Sequence, residues 1–144
     1  NIRKEAKKNN IDIKKIIFAK HLPNDEHLKR IELADIFLDT FPYTAHTTAS
    51  DFIRMGVPLI TLAGESFASR VAASILNEVN LNELITKNKN DYQNLAINIG
   101  NDKKKLNNLK EQLRRSISDS NLFNSILYTK NLEELFINLS KRIK

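Results

Sequence analysis

The stretch DIFLDTFPYTAHTTASDFIRMGVPLITL, residues 35–62, decides the fold. Its first five residues, DIFLD, are a short apolar run bounded by acids, the pattern of a strand. Residues 40–45 carry Thr, Pro and Tyr and read as a loop. Residues 46–55 have helical spacing, and Gly56 follows where a helix C-terminus favours glycine. Residues 57–62, VPLITL, are again apolar and rich in β-branched side chains, as a further strand requires. A strand, a helix and a strand in this order predict a βαβ unit, hence a parallel sheet covered by helices.

The same alternation extends outward. Upstream, KKIIFA (14–19) predicts a strand. Residues 24–34 predict a helix that opens at Pro23 and Asn24, with Asp25 and Glu26 in its first turn. Residues 3–8 are also helix-like. Downstream, residues 63–66 form a turn and 67–79 a helix with Val71, Ile75 and Val79 on one stripe; residues 84–86 suggest a short strand. Beyond them the patterns are helical only: 91–99, 102–117 with Leu106, Leu109, Leu113 and Ile117 in line, and 129–143 with Leu132, Leu135, Phe136, Leu139 and Ile143. These stripes read as faces packed on the sheet or docked elsewhere. The expectation is an α/β fold, a partial Rossmann-like parallel sheet with additional C-terminal helices. Residues 1–144 form a single domain, with βα units over 1–86 and helices over 87–144.

Composition narrows the function. At 144 residues with 41% hydrophobic side chains, the chain can bury a core. The net charge is +6, but the cations are scattered, and the densest run, Lys103-Lys104-Lys105, opens an amphipathic helix. Solvated helix faces explain that better than a nucleic-acid surface, because no basic and aromatic residues interleave. The chain has no cysteine, which removes disulfides, thiol catalysis and Cys-based zinc sites. No apolar run approaches the ~20 residues of a membrane span. A cytoplasmic location without membrane attachment is the expectation. The first residue is Asn1, inside a helix-like segment, so the chain is read as a fragment of a longer protein, whose unprotected sheet edge favours self-association.

In an open parallel sheet, ligands sit beyond the carboxyl ends of the strands, where helix N-termini offer unpaired N–H groups to anions. The loop after Asp39 is therefore the most informative. His46, Thr47 and Thr48 open its helix, and Asp51 lies four residues after Thr47 on the same face. Two hydroxyls and an imidazole beside free amides suit a diphosphate, and a carboxylate one turn further suits ribose hydroxyls. An ordinary N-cap explains the same residues. After residue 19, His27 and Arg30 lie three apart near a helix start and can frame a base, or simply face solvent. After Leu62, Gly64 permits a tight turn, Glu65 or Ser66 can cap the next helix, and Arg70 can reach the crevice or pair with an acid. Asp35 and Asp39 bracket a strand and read as structural. The three histidines show no metal-ligand spacing, and neither Gly-x-Gly-x-x-Gly nor a Walker pattern occurs.

Residues 34–76, ADIFLDTFPYTAHTTASDFIRMGVPLITLAGESFASRVAASIL, strongly resemble the C-terminal lobe of the O-linked N-acetylglucosaminyltransferase and SPINDLY-like family. KHLPNDEHLKR (20–30), ELITKNKNDYQNLA (83–96) and the segment around Leu122, Phe123 and Tyr128 continue the match over nearly the whole chain. The resemblance implies a GT-B type enzyme with two Rossmann-like lobes and the donor between them. It implies inverting, metal-independent transfer of a sugar, GlcNAc from UDP-GlcNAc, to protein Ser or Thr, with no cofactor. By resemblance, His46, Thr47 and Thr48 meet the diphosphate and Asp51 the ribose; His27 packs on the uracil with Arg30 close by, and the backbone near Leu22 bonds the base edge. No catalytic residue is expected within this piece. The catalytic His and a phosphate-contacting Lys belong upstream, as do the tetratricopeptide repeats that bind the acceptor protein. The piece alone is expected to be inactive. Two departures bear on the donor. Asn24 stands where the family has a nucleotide-contacting Lys, and Phe41-Pro42-Tyr43 is like the bacterial branch. A relative using UDP-glucose or GDP-fucose, and a non-catalytic nucleotide-binding or scaffold module of the same fold, remain alternatives.

Overall fold

The computed structural model describes residues 1–142. Three parallel strands, β1 (Phe37–Leu38), β2 (Leu59–Leu62) and β3 (Ile85–Thr86), form a sheet in the order β1-β2-β3. Phe37 pairs with Leu59 and Leu38 with Ile60; Thr61 pairs with Ile85 and Leu62 with Thr86. The helices are α1 (Ile2–Lys8), α2 (Asn24–Ile31), α3 (Thr47–Arg54), α4 (Val71–Glu78), α5 (Lys89–Asn101), α6 (Lys103–Asp119) and α7 (Ser125–Arg142). Helix α3 connects β1 to β2, and α4 connects β2 to β3, so residues 35–62 form the anticipated βαβ unit. After β3, every described element is a helix. None of the described helices is long and apolar enough to cross a membrane.

The central strand explains the sequence pattern. All four residues of β2 are buried, as a strand covered on both faces demands. Ala49 and Ile53 of α3, Ala72 and Leu76 of α4, Ile99 of α5, and Leu109 and Leu113 of α6 close around Leu59 and Ile60. Each large aliphatic side chain buried this way contributes about 1.5–3 kcal/mol. Gly56 ends α3 in the left-handed region at φ 74°, and the Gly56 and Val57 amides return to the Ile53 and Phe52 carbonyls at 2.9 Å each. That pair of bonds is a Schellman closure, and it turns the chain into β2.

Several expectations need correction. KKIIFA is not a strand. Residues 13–15 form a 3-10 turn and the following segment is extended without a ladder, leaving Ile17 85% exposed. β propensity expresses itself only where a neighbouring backbone pairs, and none within the described chain reaches this segment. The helix expected over 67–79 breaks at Arg70 into a 3-10 turn (Phe67–Ser69) and α4, because Ser66 caps the turn by accepting from the Ser69 amide at 3.3 Å. Of the expected stripe, Val79 is fully buried and Ile75 packs on the core while Val71 is only half-buried; Ala72, Ala73 and Leu76 are the residues of α4 that are buried. Helix α7 has no buried residue. Leu135, Phe136 and Leu139 of its stripe are exposed, so this stripe does not pack on the sheet; Ile143 lies outside the described residues.

Candidate functional site

Asp39, directly after β1, builds the loop that leads into α3. Its carboxylate is buried. One oxygen, Oδ1, accepts from the Thr40 and Ala45 amides, both at 2.8 Å, while Oδ2 accepts from the Thr61 hydroxyl at 2.7 Å. Thr61 is in the central strand, so the loop is anchored to the middle of the sheet. The Tyr92 hydroxyl of α5 donates to the Asp39 carbonyl at 2.8 Å. Burial, and secondarily the Asp39 charge, raise the Tyr92 pKa above its usual 10.0, which keeps the phenol a donor. Thr44 is buried and holds the second loop, its hydroxyl donating to the Ala68 carbonyl at 2.7 Å. A Cβ on Gly64 would sit 2.6 Å from Ser69 Oγ and 3.1 Å from the Phe41 ring. Gly64 is thus required first within its own turn, where the Ser69 side chain comes closest and the Gly64 amide donates to the Ser69 carbonyl at 3.1 Å, and then by Phe41 of the preceding loop.

The α3 N-terminus then stands free. His46 is its cap residue, yet no side chain caps the helix. The ordinary N-cap reading of His46, Thr47 and Thr48 is not realised. Thr47 and Thr48 are exposed, and Asp51 is half-buried one turn on, without a hydrogen-bond or ion-pair partner among the described residues. The His46 ring stacks on Tyr43 at 4.8 Å and meets Phe67 edge-on at 6.1 Å. Its Nε2 is buried without a protein partner. Four amides without helical partners, the positive end of the helix dipole and two hydroxyls make this an anion-attracting end.

The second cluster lies on α2, which packs against α3. Leu22, His27 and Arg30 line one cavity of about 530 Å³ with Ala19, Lys20, His21 and Asn24. Arg30 hydrogen-bonds His27 Nδ1 at 2.9 Å and the Lys20 carbonyl at 2.7 Å. A second cavity, about 680 Å³, is lined by Gly64, Phe67, Arg70, Val71 and Ile75. Arg70 lines that cavity beside Ala63 and Gly64, just after β2, and pairs with no acid among the described residues. Among the described residues no three His, Asp or Glu side chains converge as a metal site. Asp39 is structural, as expected, whereas Asp35 is an exposed acid that pairs with Lys110 at 2.9 Å. Tyr92 and Thr61 escaped sequence reasoning because only the fold brings them to the loop.

Comparison with known proteins decides the lineage. The family model described as Glycosyl transferase family 41 matches residues 1–132. The chain belongs to glycosyl transferase family 41. A probable UDP-N-acetylglucosamine–peptide N-acetylglucosaminyltransferase SPINDLY of Petunia hybrida is 37% identical over 121 residues, covering 84% of this chain and 13% of that protein. The UDP-N-acetylglucosamine–peptide N-acetylglucosaminyltransferase of Caenorhabditis elegans is 34% identical over 141 residues, 98% of this chain and 12% of the relative. The structure superposes on a mutant O-GlcNAc transferase of Thermobaculum terrenum with a TM-score of 0.85 at 27% identity, over 94% of this chain and 26% of the other. The family 41 match carries the GT-B type α/β fold expected of the sequence. The chain thus spans a small part of the length of the relatives it matches.

Proposed function

We propose that this family 41 chain is the donor-holding part of a glycosyltransferase that moves N-acetylglucosamine from UDP-GlcNAc to a protein hydroxyl. The observation that carries the reading is the uncapped start of α3, where His46, Thr47 and Thr48 surround unpaired amides. A diphosphate suits that end. Its negative charge grows as the sugar departs, and preorganised N–H and O–H donors stabilise it most at that moment. No metal is required for that role in this reading. Asp51, one helical turn along, is assigned to the ribose hydroxyls. The cavity of Leu22, His27 and Arg30 on the adjoining helix is assigned to the base. The acceptor and the residue that activates its hydroxyl are assigned to parts of the enzyme beyond this segment.

Isothermal titration with UDP and GDP tests the reading. UDP is expected to bind, and Asp51→Ala to weaken it. Loss of hydrogen bonds to a charged acceptor costs about 1.5–3 kcal/mol, roughly 10- to 100-fold in affinity. Indifference to both nucleotides removes the donor-site assignment, and preference for GDP replaces the donor.

A further inference from the structure

Two aromatic rings meet the His46 imidazole, and they come from different loops. Tyr43 stacks on it at 4.8 Å from the loop before α3, and Phe67 meets it edge-on at 6.1 Å from the turn after β2. Both residues are largely exposed, Tyr43 at 64% and Phe67 at 76%, so packing around them does little to fix their places. The backbone does it instead. Thr44, the residue after Tyr43, is fully buried. Its amide donates to the Ala68 carbonyl at 3.0 Å, and its hydroxyl donates to the same oxygen at 2.7 Å. A carbonyl oxygen has two lone pairs, and Thr44 supplies a donor for each. Ala68 is the residue after Phe67, so one residue sets the spacing of the two rings. The far side of this staple is tied within itself: the Gly64 amide donates to the Ser69 carbonyl at 3.1 Å, and the Ser66 hydroxyl accepts from the Ser69 amide at 3.3 Å. On the near side the Thr40 hydroxyl donates to the Tyr43 carbonyl at 2.8 Å.

We propose that Thr44 is a positioning residue: by stapling the turn of Phe67 to the entrance of α3, it holds in place the two rings that orient the His46 imidazole. His46 Nε2 is buried with no hydrogen-bond partner among the described residues, so that atom makes no polar contact that could fix the ring. Aromatic contact is left to orient it. The hydroxyl is what separates Thr44 from a core residue of equal volume. Valine fills the same space and keeps the amide bond, but loses the shorter of the two bonds to Ala68. The staple follows from contacts within this chain, whereas its effect on nucleotide affinity rests on the donor-site reading above.

Carbon–proton correlation spectra of the ¹³C-labelled full chain read the placement of the His46 ring, because neighbouring aromatic rings shift its protons. The His46 signals are identified by their loss in His46→Gln. Thr44→Val is expected to shift both ring protons, and Thr44→Ser, which keeps the hydroxyl, to return them toward the unmodified values. Phe67→Ala, at an exposed position outside the core, is expected to move the same protons. UDP titration forms the second arm. Affinity is expected to fall about two- to tenfold in Thr44→Val, the worth of one hydrogen bond. The same change made on top of Phe67→Ala is expected to cost less, because the two act through one ring. Unchanged His46 ring protons in Thr44→Val, or in Phe67→Ala where Thr44→Val does not fold, overturn the staple. Undiminished UDP binding in Thr44→Val, or an equal loss with and without the Phe67 ring, overturns the positioning role. A chain that ignores UDP yet shows the expected ring shifts supports the staple and overturns the nucleotide reading.

Discussion

Replacing Asp39 by alanine tests how the loop before α3 is held. The carboxylate accepts three bonds of 2.7–2.8 Å, from two backbone amides and from Thr61, whose side chain is fully buried. Alanine strands the Thr61 hydroxyl in the sheet, at about 1–3 kcal/mol, and frees the Ala45 amide at the α3 entrance, at a similar cost. The Thr40 amide belongs to an exposed residue and recovers water, so it adds little. The total is roughly 3–5 kcal/mol out of a stability of about 5–15 kcal/mol for a domain of this size. Urea unfolding followed by circular dichroism should show a lower midpoint at an unchanged slope, the sign that stability and not compactness changed. Thr61→Val removes one of the three donors and should cost about 1–2 kcal/mol. In the double variant the two losses should overlap by about 1 kcal/mol or more, as residues sharing one bond do. Asp39→Ala within about 0.5 kcal/mol of the unmodified chain, or strict additivity with Thr61→Val, would refute the anchor.

Other consequences follow from single contacts. Gly64→Ala forces a Cβ to within 2.6 Å of Ser69 Oγ, so a destabilisation of about 1–3 kcal/mol in the same urea assay is expected. Tyr92→Phe removes the bond to the Asp39 carbonyl at a cost of about 0.5–1.5 kcal/mol. The Tyr92 pKa is raised on folding, so its contribution is complete below pH 10.0 and is lost as pH rises through the folded value; the stability gap between parent and variant should narrow only in that alkaline range. Ile17→Ser should change stability by less than about 0.5 kcal/mol, because the side chain is 85% exposed, whereas Ile53→Ala in the core should cost about 2–5 kcal/mol by thermal or urea unfolding.

The βαβ unit was legible because each of its signals is local. Two apolar runs, a helical spacing and Gly56 at a left-handed position all agree within residues 35–62. The N-terminus of α3 was legible for the same reason. What was not legible depends on partners far along the chain. KKIIFA has the composition of a strand, but a strand is a pairing, and propensity carries no information about the pairing partner. Along 71–79 the expected stripe was only partly right: Val79 is buried and Ile75 packs on the core, while Ala72, Ala73 and Leu76 are buried beside them. The Asp39–Thr61–Tyr92 network spans three elements, and no spacing rule links positions 22 and 53 residues apart. The tie between His27 and Arg30 was visible as a spacing of three; that Arg30 serves His27 and Lys20 rather than standing alone needed coordinates.

The central claim is that the open amides at the start of α3 hold the phosphates of a uridine nucleotide. Amide chemical-shift mapping during a UDP titration of the ¹⁵N-labelled chain addresses it most directly. The largest shifts are expected at Thr47, Thr48 and Ala49, with a second set around Leu22 and His27 that vanishes when UDP is replaced by inorganic phosphate. Shifts centred on Val71 and Ile75 at the larger cavity, or none at the α3 amides at saturating UDP, would contradict it.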